Sequence, residues 1–140
     1  MKERELYRIV YPELARPRLR VITLSPDTAP VLDCSEEGLR FCIPTAWPGL
    51  PEGTVVCGTV EFQSSACTHG SLSIPRSASV AVNGRVVHIE GRVVGVHLDP
   101  PGLPLSVLVH EQLSLLSRYP GWLESSGRVI LRQHQATPAR

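Results

Sequence analysis

A chain of 140 residues has room for one domain with an arm or tail, and 42% hydrophobic residues exclude global disorder. A net charge of +1 excludes a chain-wide pull toward DNA or a membrane surface, so any charged site has to be local. Cys34, Cys42, Cys57 and Cys67 form neither a CxxC pair nor a Cys/His ladder, which leaves no zinc framework and reads as reduced, mostly buried thiols.

The start, MKERELYRIV, is charged and lacks the apolar run of a signal peptide, and no stretch reaches the ~20 apolar residues of a membrane span. A cytoplasmic protein is expected. Residues 1–20 are the most basic part, with Lys2, Arg4, Arg8, Arg16, Arg18 and Arg20, and Pro12 and Pro17 oppose a continuous helix. They are expected to form an extended basic arm, with residues 21–140 as the single domain.

Strand signals then follow in sequence. Residues 19–24 (LRVITL) precede the turn-rich SPDTAP, and PVLDCSEEGLRFCI has two apolar halves flanking SEEG. There Gly38 is expected to take the positive φ of a tight reversal. Val56, Gly58, Val60 and Phe62 alternate with Cys57, Thr59 and Glu61. The loop at 63–77 has no assigned role. Ala78, Val80 and Val82 alternate again, and Asn83-Gly84 reads as a hairpin turn or a bulge. GRVVHIEGRVVGVHL predicts two strands around Glu90-Gly91, with Val87, Ile89, Val94, Val96 and Leu98 facing inward.

After DPPGLP the period changes. Leu105, Leu108, Val109, Leu113 and Leu116 have helical spacing, predicting an amphipathic helix over about 105–118, stopped by Pro120 and Gly121. RVILR near the end predicts one short strand more. The architecture expected is mainly all-β: a six-stranded antiparallel β-barrel, closed because closure removes exposed edges, with a C-terminal α-helix that buries its leucines on the open end.

Two short runs carry the chemistry. RPRLR offers Arg16, Arg18 and Arg20, whose planar forks of donors pair with phosphate oxygens or with O6 and N7 of guanine. DCSEEG offers Asp33, Ser35 and Gly38: a carboxylate able to accept from a guanine edge, a hydroxyl donor for phosphate, and a turn glycine. Taken singly, each run reads as ordinary, a solvated basic arm and a hairpin turn closed by Asx or Ser.

Taken in order, they resemble the PilZ domain. That family's RxxxR and (D/N)xSxxG are matched by Arg16 and Arg20, then by Asp33, Ser35 and Gly38. GRVVHIEGRVVGVHLD is similar to the family's closing strand pair, and the helix at about 105–118 lies where the family has its C-terminal helix. The resemblance covers roughly residues 16–118. It implies a six-stranded barrel that binds cyclic di-GMP, with an arginine loop wrapped over the ligand. Arg16 and Arg20 would contact guanine and phosphate, Asp33 would read a guanine edge, Ser35 would bond a phosphate or the loop, and Gly38 would allow the turn. Arg18 is an extra candidate with no family position behind it. Twelve residues separate Arg20 from Asp33, a short gap for the family, and Pro17 stiffens the arginine segment.

No Walker loop, HExxH or catalytic Cys/His arrangement is evident, and neither a metal site nor a cofactor is expected. Cys67-Thr68-His69 lacks an orienting acid, and Trp47 and Trp122 read as core or loop anchors. The function expected is non-enzymatic. Cyclic di-GMP would order residues 1–20 and change what a downstream protein meets, with no DNA partner and with the chain as monomer or homodimer. The alternative is a degenerate barrel of the same fold that binds protein without nucleotide.

Overall fold

The computed structural model describes residues 8–24, 26–63 and 78–119. Within them are seven strands: β1 (Ile9–Val10), β2 (Arg18–Val21), β3 (Thr28–Cys34), β4 (Gly38–Cys42), β5 (Val55–Phe62), β6 (Ala78–Glu90) and β7 (Val93–Leu98). One helix, α1 (Leu105–Arg118), follows. Every pairing is antiparallel. β2 pairs with β3 and β5, β5 with β6, β6 with β7, β7 with β4, and β4 closes back on β3. Six strands therefore form a closed barrel. The two-residue β1 lies beyond β2 along the same edge of β3, opposite Cys34 and Asp33.

Alternation fills the barrel. Leu19, Val31, Phe41, Val56, Val60, Phe62, Val86, Val94 and Val96 point inward and are buried. Trp47, in the loop after β4, packs edge-on against Phe41 with ring centroids 6.1 Å apart, the anchor role expected of it. Gly91, at φ 64°, makes the β6–β7 reversal where Glu90-Gly91 marked it.

Several expectations are corrected. Asn83-Gly84 is neither a turn nor a bulge, because β6 runs through it as one 13-residue strand. Its irregularity lies between Val86 and His88 instead. Val87 and Ile89 are exposed rather than inward. Val82, Gly84 and Val86 are the buried set of β6, so alternation alone puts Val87 outside, and the shift turns His88 out as well. Val94, Val96 and Leu98 are buried as expected. Cys57 is exposed rather than buried. Residues 22–24 form a one-turn 3-10 helix rather than the end of a strand. Of the segment expected to be an arm, residues 8–20 pack onto the barrel: Ile9, Tyr11, Ala15 and Leu19 are buried. Residues 1–7, most of the 63–77 loop, Cys67, His69, Trp122 and RVILR lie outside the described residues.

Helix α1 has the expected bounds but buries a different face. Leu108, Glu111, Ser114 and Leu115 face the barrel, while Leu105, Val109, Leu113 and Leu116 are exposed. At ~100° per residue the two rows lie on roughly opposite sides of the helix. A buried carboxylate needs a partner. Glu111 has one, because the Tyr11 hydroxyl donates to its Oε1 at 2.7 Å.

Candidate functional site

The site begins with an irregularity in β3. Ala29 and Val31 point inward, so strict alternation would bring Asp33 inward as well. A register shift between Val31 and Asp33 reverses the phase. Asp33 turns to the outer wall opposite Arg40, and Cys34 turns in opposite Leu39.

On that wall the carboxylate is closed by two guanidinium groups. Arg8 Nη1 donates to Oδ1 at 2.6 Å. Arg40 donates to Oδ2 from Nε at 2.7 Å and from Nη2 at 2.5 Å. Asp33 is 1% exposed, whereas Arg8 and Arg40 remain 34% and 46% exposed. The acid thus acts as a buried clamp that holds two partly exposed cations at fixed positions. Any group approaching from solvent meets those arginines before it meets Asp33.

Ser35 and Gly38 bracket the β3–β4 reversal, with the Ser35 N–H donating to the Gly38 carbonyl at 2.8 Å. The Ser35 hydroxyl is buried and finds no hydrogen-bond partner among the described residues. Gly38 does not take the positive φ expected of it; Gly53, Gly91 and Gly102 are the described glycines that do. Its role is one of clearance, since a Cβ there would stand 3.1 Å from the Val96 carbonyl oxygen. The turn's own carbonyls serve the next layer. Glu37 accepts from the Leu98 N–H and Glu36 from the Leu103 N–H, which seats the loop after β7 against the turn.

Asp33, Ser35 and Gly38 are therefore brought together, but Arg16, Arg18 and Arg20 are engaged elsewhere. Arg20 donates to Glu61 at 2.9 Å and to the Pro26 carbonyl at 3.1 Å. Arg18 donates to the side chain and carbonyl of Thr28. Arg16 is half-buried, its carbonyl accepts from the Gln63 side chain, and its buried Nε has no partner among the described residues. The arginine of the N-terminal segment that reaches Asp33 is Arg8, 25 residues earlier in the chain. Its signal was present: Arg4-Glu5-Leu6-Tyr7-Arg8 has the same RxxxR spacing as Arg16 to Arg20. Counted from Arg8, the gap to Asp33 is no longer short. Arg40, two residues after Gly38, was legible only as an outward strand residue.

A shallow groove of about 230 Å³ opens beside the pair, lined by Arg8, Arg40, Val87, His88, Gly95 and His97 among others. That is less than the space a drug-sized ligand occupies, so it fits part of a larger molecule. On the inner side of β1 a second polar group is sealed from water. The Tyr11 hydroxyl lies 2.7 Å from Glu111 Oε1 and 3.8 Å from Cys34 Sγ. Burial, with the nearby Cys34 and Glu111, holds the Tyr11 phenol well above its usual range. Burial likewise pushes the Cys34 thiol up to about 12. No cluster of three or more metal-ligating side chains occurs among the described residues, and none of their helices is long and apolar enough to cross a membrane. Comparison of the sequence with family models and with curated proteins finds no match.

Proposed function

We propose that this chain is a non-enzymatic receptor for cyclic di-GMP that passes the binding event to a partner protein. One observation carries the reading: the D-x-S-x-x-G turn sits on the wall of a closed barrel, and its acid orients two partly exposed arginines beside a groove. Two phosphates and two guanines present the acceptors such forks recognise. Within this reading Arg8 and Arg40 are the first contacts and Asp33 sets their positions. Ser35 holds the turn through its N–H to the Gly38 carbonyl, its hydroxyl being buried, and Gly38 keeps β7 close. Arg18 and Arg20, on a β2 paired with both β3 and β5, are held by Thr28 and Glu61 and, like Arg16, do not line this groove.

The same geometry supports a route outward. Arg8 directly precedes β1 and Tyr11 directly follows it, so a strand of two residues joins the groove to the Tyr11–Glu111 bond on α1. A ligand that draws Arg8 away from Asp33 displaces β1 and loosens that bond. The helix then shifts because the two states differ in contacts. A second reading, a barrel that binds protein without nucleotide, is favoured by the exposed row Leu105, Val109, Leu113 and Leu116.

Calorimetric titration of the full chain with cyclic di-GMP separates the two. Saturable binding is expected, weakened by about 1–3 kcal/mol in Arg8→Ala and Arg40→Ala. No heat from folded protein at ~100 μM ligand, an affinity weaker than about −5.5 kcal/mol, leaves the protein-binding reading in its place.

A further inference from the structure

Four glycines of the described chain lie in strands, and three are there because the fold leaves no space. A Cβ at Gly58 would stand 2.2 Å from the Arg20 carbonyl oxygen, and one at Gly84 2.3 Å from that of His97. At Gly38 the Val96 carbonyl oxygen is 3.1 Å away. Gly95 differs. Its φ is ordinary, and the nearest atoms to an added Cβ are His88 Cβ at 3.4 Å and Arg40 Cγ at 3.8 Å, both normal contact distances. The fold would accept a side chain here. The centre of a strand paired on both sides favours a β-branched one, and glycine weakens it.

Gly95 itself is buried, and its surroundings show what the missing side chain leaves room for. Gly95 is opposite Arg40 on one side and His88 on the other, all three on the outer face. Strands spaced ~4.8 Å apart put the Cα atoms of Arg40 and His88 about 10 Å from each other. A flat ring touching both neighbours at ~3.5 Å needs about 7 Å. The register shift between Val86 and His88 falls beside this point and leaves both Val87 and His88 exposed at the groove. Arg8, on the same groove, holds Asp33 next to it.

We infer that Gly95 is the floor of a slot for one planar purine base, walled by His88 with Val87 on one side and by the stem of Arg40 on the other. The phosphate of the same nucleotide lies toward Arg8 and the Arg40 guanidinium. This rests on the receptor reading and names the part of the ligand that the groove takes. The slot selects a ring: stacking on the flat faces supplies affinity, and the backbone floor admits the base where any Cβ would lift it.

The test is titration of full-length Gly95→Ala and Gly95→Val with cyclic di-GMP, alongside urea unfolding of each. Both are expected to unfold at or above the wild-type midpoint. Binding should fall stepwise, by about tenfold to a hundredfold in Gly95→Val, the range of one lost base stack. Gly49→Val, a loop position where an added Cβ has nothing within 4 Å, should leave binding unchanged. His88→Ala should weaken binding as well, with little further loss when combined with Gly95→Val, since both act on one stack. If wild type binds and a stable Gly95→Val or Gly95→Ala binds equally, the slot is refuted while the receptor reading stands. If wild type itself shows no binding, both fall together.

Discussion

Asp33→Ala is expected to destabilise the fold as well as the site. The carboxylate is 1% exposed and accepts three short contacts, one from Arg8 and two from Arg40. Removing one member of a buried ion pair costs about 3–5 kcal/mol when the partner stays buried and unpaired. Here the arginines are 34% and 46% exposed, so each regains water when the acid is lost. Removal also relieves the cost of keeping a carboxylate out of water. The expected loss is therefore about 2–3 kcal/mol, including new repulsion between Arg8 and Arg40 on adjoining segments. With a urea m-value of ~1–2 kcal/mol/M, that lowers the unfolding midpoint by about 1–3 M at unchanged slope. Asp33→Asn keeps the shape and some hydrogen bonding and should lose roughly half as much. Equilibrium urea unfolding followed by tryptophan fluorescence measures both, since Trp47 is buried on Phe41. A midpoint for Asp33→Ala within ~0.3 M of wild type would refute the clamp, because a solvated surface pair behaves that way. Binding assays on this variant accordingly need conditions in which it is fully folded.

Other outcomes follow from the same contacts. Tyr11→Phe should cost about 1–2 kcal/mol by urea unfolding, and a double-mutant cycle with Glu111→Gln should show coupling near 1 kcal/mol; additive losses would mean that the helix is not held by this bond. Stability should fall on the alkaline side. The unfolded chain ionises Cys34 near its ordinary value of 9.0 while the folded chain keeps the proton to about 12. The Cys34 contribution is thus complete below about pH 9 and is lost by about 1.4 kcal/mol per unit above it, and above about pH 10 the buried Tyr11 phenol, also raised, adds to the loss. Cys34→Ala should flatten that part of the profile. Gly84→Ala, whose Cβ would meet the His97 carbonyl oxygen at 2.3 Å and Val96 Cγ1 at 2.8 Å, should destabilise by about 2–3 kcal/mol in thermal or urea melts. A native-like midpoint there would show that β6 and β7 separate easily.

Read from sequence, the strands of the barrel are most legible where apolar and polar residues alternate without a break. Val56 to Phe62 meets that condition, and its inward set is the one found. The reading fails where one extra residue changes the phase. The shift before Asp33 turns the carboxylate outward, and the shift after Val86 turns His88 outward, opposite Gly95. Neither leaves a local mark, because a bulge is settled by how two strands share hydrogen bonds. The face of α1 escaped for a related reason. Leucines line both sides of the helix, and the buried side is chosen by Tyr11, 100 residues away, which gives Glu111 a partner.

What the sequence determined by itself is the class of fold, the helix with its limits, and the turn that carries Asp33, Ser35 and Gly38. These depend on period, on proline and glycine, and on neighbours a few residues apart. The tertiary structure alone decided which arginines meet the acid. RxxxR occurs at Arg4–Arg8 and again at Arg16–Arg20, and spacing cannot rank two copies of one pattern. Closing the barrel ranks them: β2 carries Arg18 and Arg20 to Thr28 and Glu61, while β1 lays Arg8 against Asp33. Arg40 and Gly95 join them for the same reason, since neighbours across a sheet are set by register between strands far apart in the chain.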